Sequence, residues 1–124
     1  MEFAGPVTVI TQSVRSSLRD VAVRASKVEA EAMRKENPGV ALLCRIATER
    51  LKPLPKILNE IEELERTVTG LNEHKERMAG NAAELLRAEN EIGEKQAKIA
   101  EGRTKVEKEL NTISSLLDGA QMRL

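Results

Sequence analysis

The chain has 124 residues, and its twenty basic side chains balance its twenty acidic ones. It contains one Phe and no Trp or Tyr, so it lacks the aromatic side chains that usually fill the core of a compact globule. Zero net charge excludes overall electrostatic steering toward nucleic acid or an anionic membrane. The remaining composition, charged and rich in helix-forming aliphatic residues, predicts an all-α coiled-coil protein.

The first predicted segment, residues 1–36, is a helix with a basic face. Gly5-Pro6 opens it, because Pro is favoured at the start of a helix. An apolar stripe follows in alternating steps of four and three, as in a heptad seam: Val7, Thr11, Val14, Leu18, Val21, Ala25, Val28 and Ala32. The basic face carries Arg15, Arg19, Arg24 and Lys27.

The second segment, residues 37–54, is predicted to be a tight turn followed by a short, kinked helix. Pro38 restricts Asn37 away from the helical region, and Asn37 can then cap a new helix. This helix has a broad apolar face, made of Leu42, Leu43, Ile46, Ala47 and Leu51. Pro53 and Pro55 each remove a backbone donor and predict a kink or a short break.

The third segment, residues 55–124, has an apolar residue at every seventh position and is predicted to be one long coiled-coil helix. These d positions are Ile57, Leu64, Leu71, Met78, Leu85, Ile92, Ile99, Val106, Ile113 and Ala120. The companion a positions are Ile61, Val68, Lys75, Ala82, Glu89, Gln96, Arg103, Leu110, Leu117 and Leu124. A continuous helix would be a rod of roughly 100 Å, which propensity alone does not stabilise without a partner along its seam.

Residues 78–81 are the place where this helix is most easily interrupted, because Gly80 and Asn81 are adjacent and both residue types are common in hairpin loops. A loop need not preserve heptad phase, yet Met78 and Leu85 stay in step across it. We therefore expect a continuous but locally weak helix, with a hairpin at Gly80-Asn81 as the alternative.

Charged residues inside the seam favour a different chain, or an antiparallel arrangement, over a parallel second copy as the partner. In a parallel homodimer Lys75, Glu89 and Arg103 would each face their own copy, and buried like charges are costly. We expect these positions, together with Gln96, to set the partner and the register. We expect binding through Ile57, Ile61, Leu64, Val68, Leu71, Met78, Leu85, Ile92, Ile99, Val106, Leu110, Ile113 and Leu117.

Opposite local charges connect the first segment with the third. Residues 11–28 have an excess of basic side chains, whereas residues 56–76 have an excess of glutamates. Two interpretations have equal weight. In one interpretation, the first helix folds back beside the start of the third segment. In the other, both stretches are solvated faces whose charges contribute little energy.

No residue pattern indicates catalysis, a cofactor or a metal. His74 is the only histidine and Cys44 the only cysteine, so a zinc or di-iron site is not predicted; His74 is expected at the surface and Cys44 as a buried, reduced thiol. The glycines do not have the spacing of phosphate-binding loops. Residues 1–6 lack the basic region of a secretion signal, and no apolar run approaches the roughly 20 residues of a membrane span, so we expect an intracellular protein, cytoplasmic or nuclear.

One stretch of the seam carries a family resemblance. The run Leu54, Leu58, Ile61, Leu64-Glu65, Val68 and Leu71 resembles the coiled-coil segment of the second subunit of the biogenesis of lysosome-related organelles complex. The resemblance implies a small helical subunit, bundled with several different small helical subunits and acting in lysosome or endosome positioning. It implies no functional residue beyond the apolar seam.

These observations predict a non-catalytic coiled-coil subunit of a hetero-oligomeric assembly, which acts as scaffold, tether or adaptor by helix–helix pairing. One alternative is a homo-oligomeric coiled-coil spacer. Another is a nucleic-acid or membrane binder that dimerises through the long helix and uses Arg15, Arg19 and Arg24 as a basic arm. Direct binding to nucleic acid, to a membrane or to a small-molecule substrate is not expected.

Overall fold

The computed structural model describes the backbone of residues 4–124 and the side chains of residues 11–124. This part of the chain is all-α, as predicted, and contains no β-strand. Its helices are α1 (Ala4–Arg34), α2 (Pro38–Leu51), α3 (Leu54–Arg77) and α4 (Ala82–Met122). The predicted seam side chain of Val7 and the N-terminal residues 1–3 lie outside the described part.

The turn between α1 and α2 follows the local chemistry of its residues. Glu36 has a positive φ of 55°, and the Asn37 N–H donates to the Ala32 carbonyl at 2.8 Å, which closes the end of α1. The Asn37 side chain accepts a hydrogen bond from the Val40 N–H at 3.2 Å, and Pro38 is the first residue of α2. The predicted turn and its asparagine cap are confirmed.

A short break separates α2 from α3 at the prolines. α2 ends at Leu51, α3 begins at Leu54, and between them the Lys52 N–H donates to the Glu49 carbonyl at 3.3 Å. Pro53 keeps a helical backbone, with φ −77° and ψ −12°, but has no N–H to continue the hydrogen-bond ladder. The sequence predicted a kink or a short break at Pro53 and Pro55, because each proline lacks a backbone N–H.

The expectation of one continuous helix over residues 55–124 is wrong. α3 ends at Arg77, and Asn81 leaves the helical region with φ −123° and ψ 99°. The Asn81 side chain accepts a hydrogen bond from the Glu84 N–H at 3.1 Å and so caps α4. The alternative, a hairpin at Gly80-Asn81, is what the structure contains.

α1 lies antiparallel to both α2 and α3. Arg45 of α2 contacts Glu29 in the second half of α1 at 3.1 Å. Arg15, in the first half of α1, contacts Glu62 of α3 at 2.9 Å. The first helix therefore does fold back beside the start of the third segment, and oppositely charged residues meet there.

α4 reverses direction again and packs against α2 and α3. Arg50 of α2 pairs with Glu109 at 2.8 Å, and Lys75 near the end of α3 pairs with Glu89 near the start of α4 at 3.2 Å. The four helices thus form a bundle of three rods: α1, the interrupted rod of α2 and α3, and α4.

One apolar core runs between the three rods. Its largest fully buried side chains include Leu58 and Ile61 of α3 and Ile113 and Leu117 of α4. A polar contact is buried beside them, since the Thr11 hydroxyl donates to the Glu65 carboxylate at 2.7 Å. The bond offsets the cost of removing both groups from water and ties α1 to α3.

Candidate helix-docking surface

The predicted partner seam lies mostly against helices of its own chain. Its buried members are Ile61, Val68, Ile92, Ile99, Val106, Leu110, Ile113 and Leu117. Its partly buried members are Ile57, Leu64, Leu71, Met78 and Leu85. Folding back at residues 78–81 covers this strip without a second chain, so it does not offer the continuous free surface that we expected a foreign helix to occupy.

The residues predicted to choose the partner are found in three different situations. Lys75 and Glu89, both at a positions, pair with each other at 3.2 Å across the hairpin. Gln96 is exposed. Arg103 is partly exposed, and its Nη1 atom is buried with no hydrogen-bond partner in the described part of the chain. The charge complementarity expected from another chain is therefore supplied in part by this chain.

α2 exposes two large aliphatic side chains close together, whereas α1 and α4 expose one aliphatic residue each, Val23 at 51% and Leu86 at 60%. Its inward side is buried: Val40, Ala41, Cys44, Ala47 and Leu51. Leu42 and Ile46, one turn apart on the outward side, are 56% and 41% exposed. A helix that is apolar on both sides is normally buried on both sides. We call Leu42 and Ile46 the α2 apolar face.

The polar side chains of α2 make their bonds within the chain. The pairs are Arg45 to Glu29 at 3.1 Å, Thr48 to the Cys44 carbonyl at 3.0 Å, Glu49 to Lys52 at 2.7 Å and Arg50 to Glu109 at 2.8 Å. The hydrogen bond from Arg50 lowers the pKa of Glu109, and the same bond raises the pKa of Arg50. Arg45 and Glu49 remain 59% and 68% exposed, so the outward side of α2 presents an aliphatic pair flanked by charged side chains that are already paired.

Two exposed methionines lie toward the same end of the bundle. Met33, in the last turn of α1, is 59% exposed, and Met122, at the end of α4, is 87% exposed. The Asn37 side-chain amide donates to the Arg123 carbonyl at 3.4 Å, which places the end of α4 beside the α1–α2 turn. Methionine side chains are flexible and polarizable, so they adapt to irregular apolar surfaces.

The two residues singled out for possible chemistry have ordinary surroundings. Cys44 is a buried free thiol, as predicted, and desolvation, followed by the nearby charge of Glu29, raises its pKa. His74 is partly exposed, with its Nε2 atom 3.7 Å from a carboxylate oxygen of Glu84. Among the described residues no group of three or more His, Cys, Asp and Glu side chains could hold a metal ion. The described helices also include none that is long and apolar enough to cross a bilayer.

The heptad analysis missed two buried residues of α3. Leu58 and Glu65 of α3 are buried although neither is at an a or d position, because α3 packs against both α1 and α4. The spacing of Leu54, Leu58 and Ile61 was the available signal for this second stripe.

Comparison of the chain with protein-family models, with curated proteins and with solved structures finds no match.

Proposed function

We propose that this chain is a non-catalytic subunit of a hetero-oligomeric assembly, in which it acts as a scaffold or adaptor by pairing with a helix of another protein. The observation that carries the proposal is the α2 apolar face. Leu42 and Ile46 stay exposed on a helix whose other apolar residues are buried or, for Leu43, partly buried, and whose polar residues are engaged. Covering this face with a partner helix removes aliphatic surface from water.

A different chain fits this face better than a second copy. Two exposed aliphatic side chains fall short of the roughly 800 Å² per partner that a stable interface buries. A partner helix would have to extend beyond α2 along the bundle to reach that area. The seam, which would have driven a homo-oligomeric spacer, is already covered within the chain.

The basic-arm alternative loses support from the contacts of two of its three arginines, although Arg19 is exposed. Arg15 bonds to Glu62 and Asn59, and Arg24 bonds to Asp118 and Gln121. Guanidinium groups that are engaged in the folded chain are less available to phosphates, so we do not base a function on this face.

The resemblance to the second subunit of the biogenesis of lysosome-related organelles complex is consistent with a role as one helical subunit among several different ones. We propose an intracellular location for this assembly, cytoplasmic or nuclear, which suits the single buried thiol of Cys44. In this chain the residues that carry the resemblance, such as Leu58 and Ile61, pack within the bundle. The resemblance therefore supports the class of assembly and not a particular contact.

Photocrosslinking tests the proposal at the α2 apolar face. With a benzophenone amino acid in place of Leu42, we expect crosslinks in cells to discrete polypeptides other than this chain. The same amino acid at Glu91, an exposed position on α4, is the matched control and should not give them. Crosslinks only between copies of this chain, or the same products from both positions, would contradict the proposal.

A further inference from the structure

A groove opens on the surface where the prolines interrupt the rod of α2 and α3. It has a volume of about 480 Å³ and lies between this rod and α4. Its lining residues are Arg50, Pro53, Leu54, Ile57, Lys105, Lys108, Glu109 and Thr112. We call it the break groove. Its volume is within the range of sites that hold bound ligand groups.

The floor of the break groove is apolar. Leu54 lies beneath it in the core and is only 2% exposed, so the apolar surface open to a partner is that of Ile57, which is partly buried beside it. Pro53 adds an apolar ring at the break, where it cannot donate a hydrogen bond. An aliphatic side chain placed here would contact carbon atoms on several sides and would be removed from water.

The rim of the break groove is cationic. Glu109 is its only carboxylate, and it is occupied by Arg50 through two hydrogen bonds of 2.8 and 3.0 Å. Lys105 and Lys108 are exposed on α4, and neither forms an ion pair with any residue in the described part of the chain. The lining residues therefore carry two more positive charges than negative ones.

We propose that the break groove binds an acidic amphipathic helix of a different protein. Aliphatic residues of that helix pack on Pro53 and Ile57, while its glutamates or aspartates lie beside Lys105 and Lys108. This inference rests on the proposed function and specifies the chemistry of the partner. Charges at the edge of such an interface select the partner and accelerate association.

A second copy of this chain does not satisfy the same chemistry. In a twofold dimer built through the break groove, the rim lysines of one copy would face those of the other, and like charges would repel. A nucleic acid is also a poor fit, since the groove offers no aromatic side chain on which a base could stack.

Fluorescence anisotropy of two synthetic helical peptides with the full-length chain tests the inference. One peptide has a leucine seam flanked by glutamates, and the other has lysines in place of the glutamates. We expect the acidic peptide to bind and the basic one not to. The double variant Lys105→Glu, Lys108→Glu should weaken binding about tenfold or more, with its helical circular dichroism unchanged.

Lys27→Glu, an exposed charge reversal on α1, is the matched control and should leave binding unchanged. Equal binding of both peptides, or no loss in the double variant, would overturn the inference. If crosslinks to other proteins persist at position 42 while the acidic peptide does not bind, the inference fails alone. Absence of both contradicts the proposed function as well.

Discussion

Glu36 holds the α1–α2 turn in a backbone conformation that its own side chain disfavours. Its φ of 55° lies in the left-handed region, which helix ends commonly reserve for glycine. The conformation persists because the N–H groups of Glu36 and Asn37 bond to the carbonyls of Met33 and Ala32, at 3.1 and 2.8 Å. The turn therefore stores a small strain that a single substitution can relieve.

Replacing Glu36 with glycine should stabilise the chain by up to about 1 kcal/mol, because glycine adopts positive φ without a Cβ clash. Urea denaturation followed by circular dichroism measures the change. Lys35→Gly, one residue earlier, is the control and should destabilise, since it removes the ion pair with Glu31 at 3.1 Å. Equal losses in the two variants would show that residue 36 is not in a left-handed conformation.

The Arg50–Glu109 pair predicts how the stability of the folded chain depends on pH. Its hydrogen bond lowers the pKa of Glu109 in the folded chain, so the stabilisation is present above the unfolded-state pKa and is lost as pH falls through the folded-state pKa. In an NMR titration, Arg50→Gln should raise the pKa of Glu109. Arg45→Gln, which breaks the separate pair with Glu29, should leave it unchanged. Identical titration of Glu109 in the wild type and Arg50→Gln would contradict the pairing.

The structural roles of residues that depend on local chemistry could be predicted from the sequence, whereas roles that depend on packing between distant segments could not. The Asn37 cap followed from one proline and one short polar side chain, whose preferences operate over three or four residues. The burial of Leu58 and Glu65 did not follow from the seam, because it depends on α1 packing on α3 from a distant part of the sequence. Sequence periodicity shows which residues share a face, but it does not show how many neighbours that face has.

At the scale of elements, the hairpin is the feature on which sequence and structure differ most. The N–H of Met78 bonds to the carbonyls of both His74 and Lys75, so the backbone stays nearly helical until Asn81 reverses it. Apolar residues on both sides of such a loop stay in heptad phase although the chain turns back. Phase alone therefore could not separate a hairpin from a continuous helix, whereas the capping chemistry of Asn81 could.

Replacing Asn81 with alanine distinguishes a hairpin from a continuous helix, because the two predict opposite signs for the change in the free energy of unfolding. As the cap of α4, Asn81 satisfies the Glu84 N–H, so its loss should destabilise the chain by about 1 kcal/mol. In a continuous helix the same change would stabilise, because alanine has the higher helix propensity. Urea denaturation gives the sign, and Asn90→Ala, in the interior of α4, should be neutral or stabilising. Stabilisation by both substitutions would contradict the hairpin.

At the scale of the whole molecule, folding back changes which surface is free. The aliphatic strip that the sequence assigned to a partner is buried or partly buried by the chain's own helices, and an exposed aliphatic pair lies on α2 instead. The sequence did show that α2 has a broad apolar face. It could not show which part of that face the neighbouring rods cover, since this depends on the placement of α1 and α4.

The distance between α3 and α4 tests this account most directly. Spin labels at Glu63 and Lys95, in a Cys44→Ala background, would lie on two sides of one groove in the folded chain. Pulsed electron paramagnetic resonance at high dilution should then give a distance of roughly 10–25 Å, as for neighbouring helices. A distance of about 48 Å, the span of the intervening residues in one continuous helix, would contradict the closed bundle and return the aliphatic strip to a foreign partner.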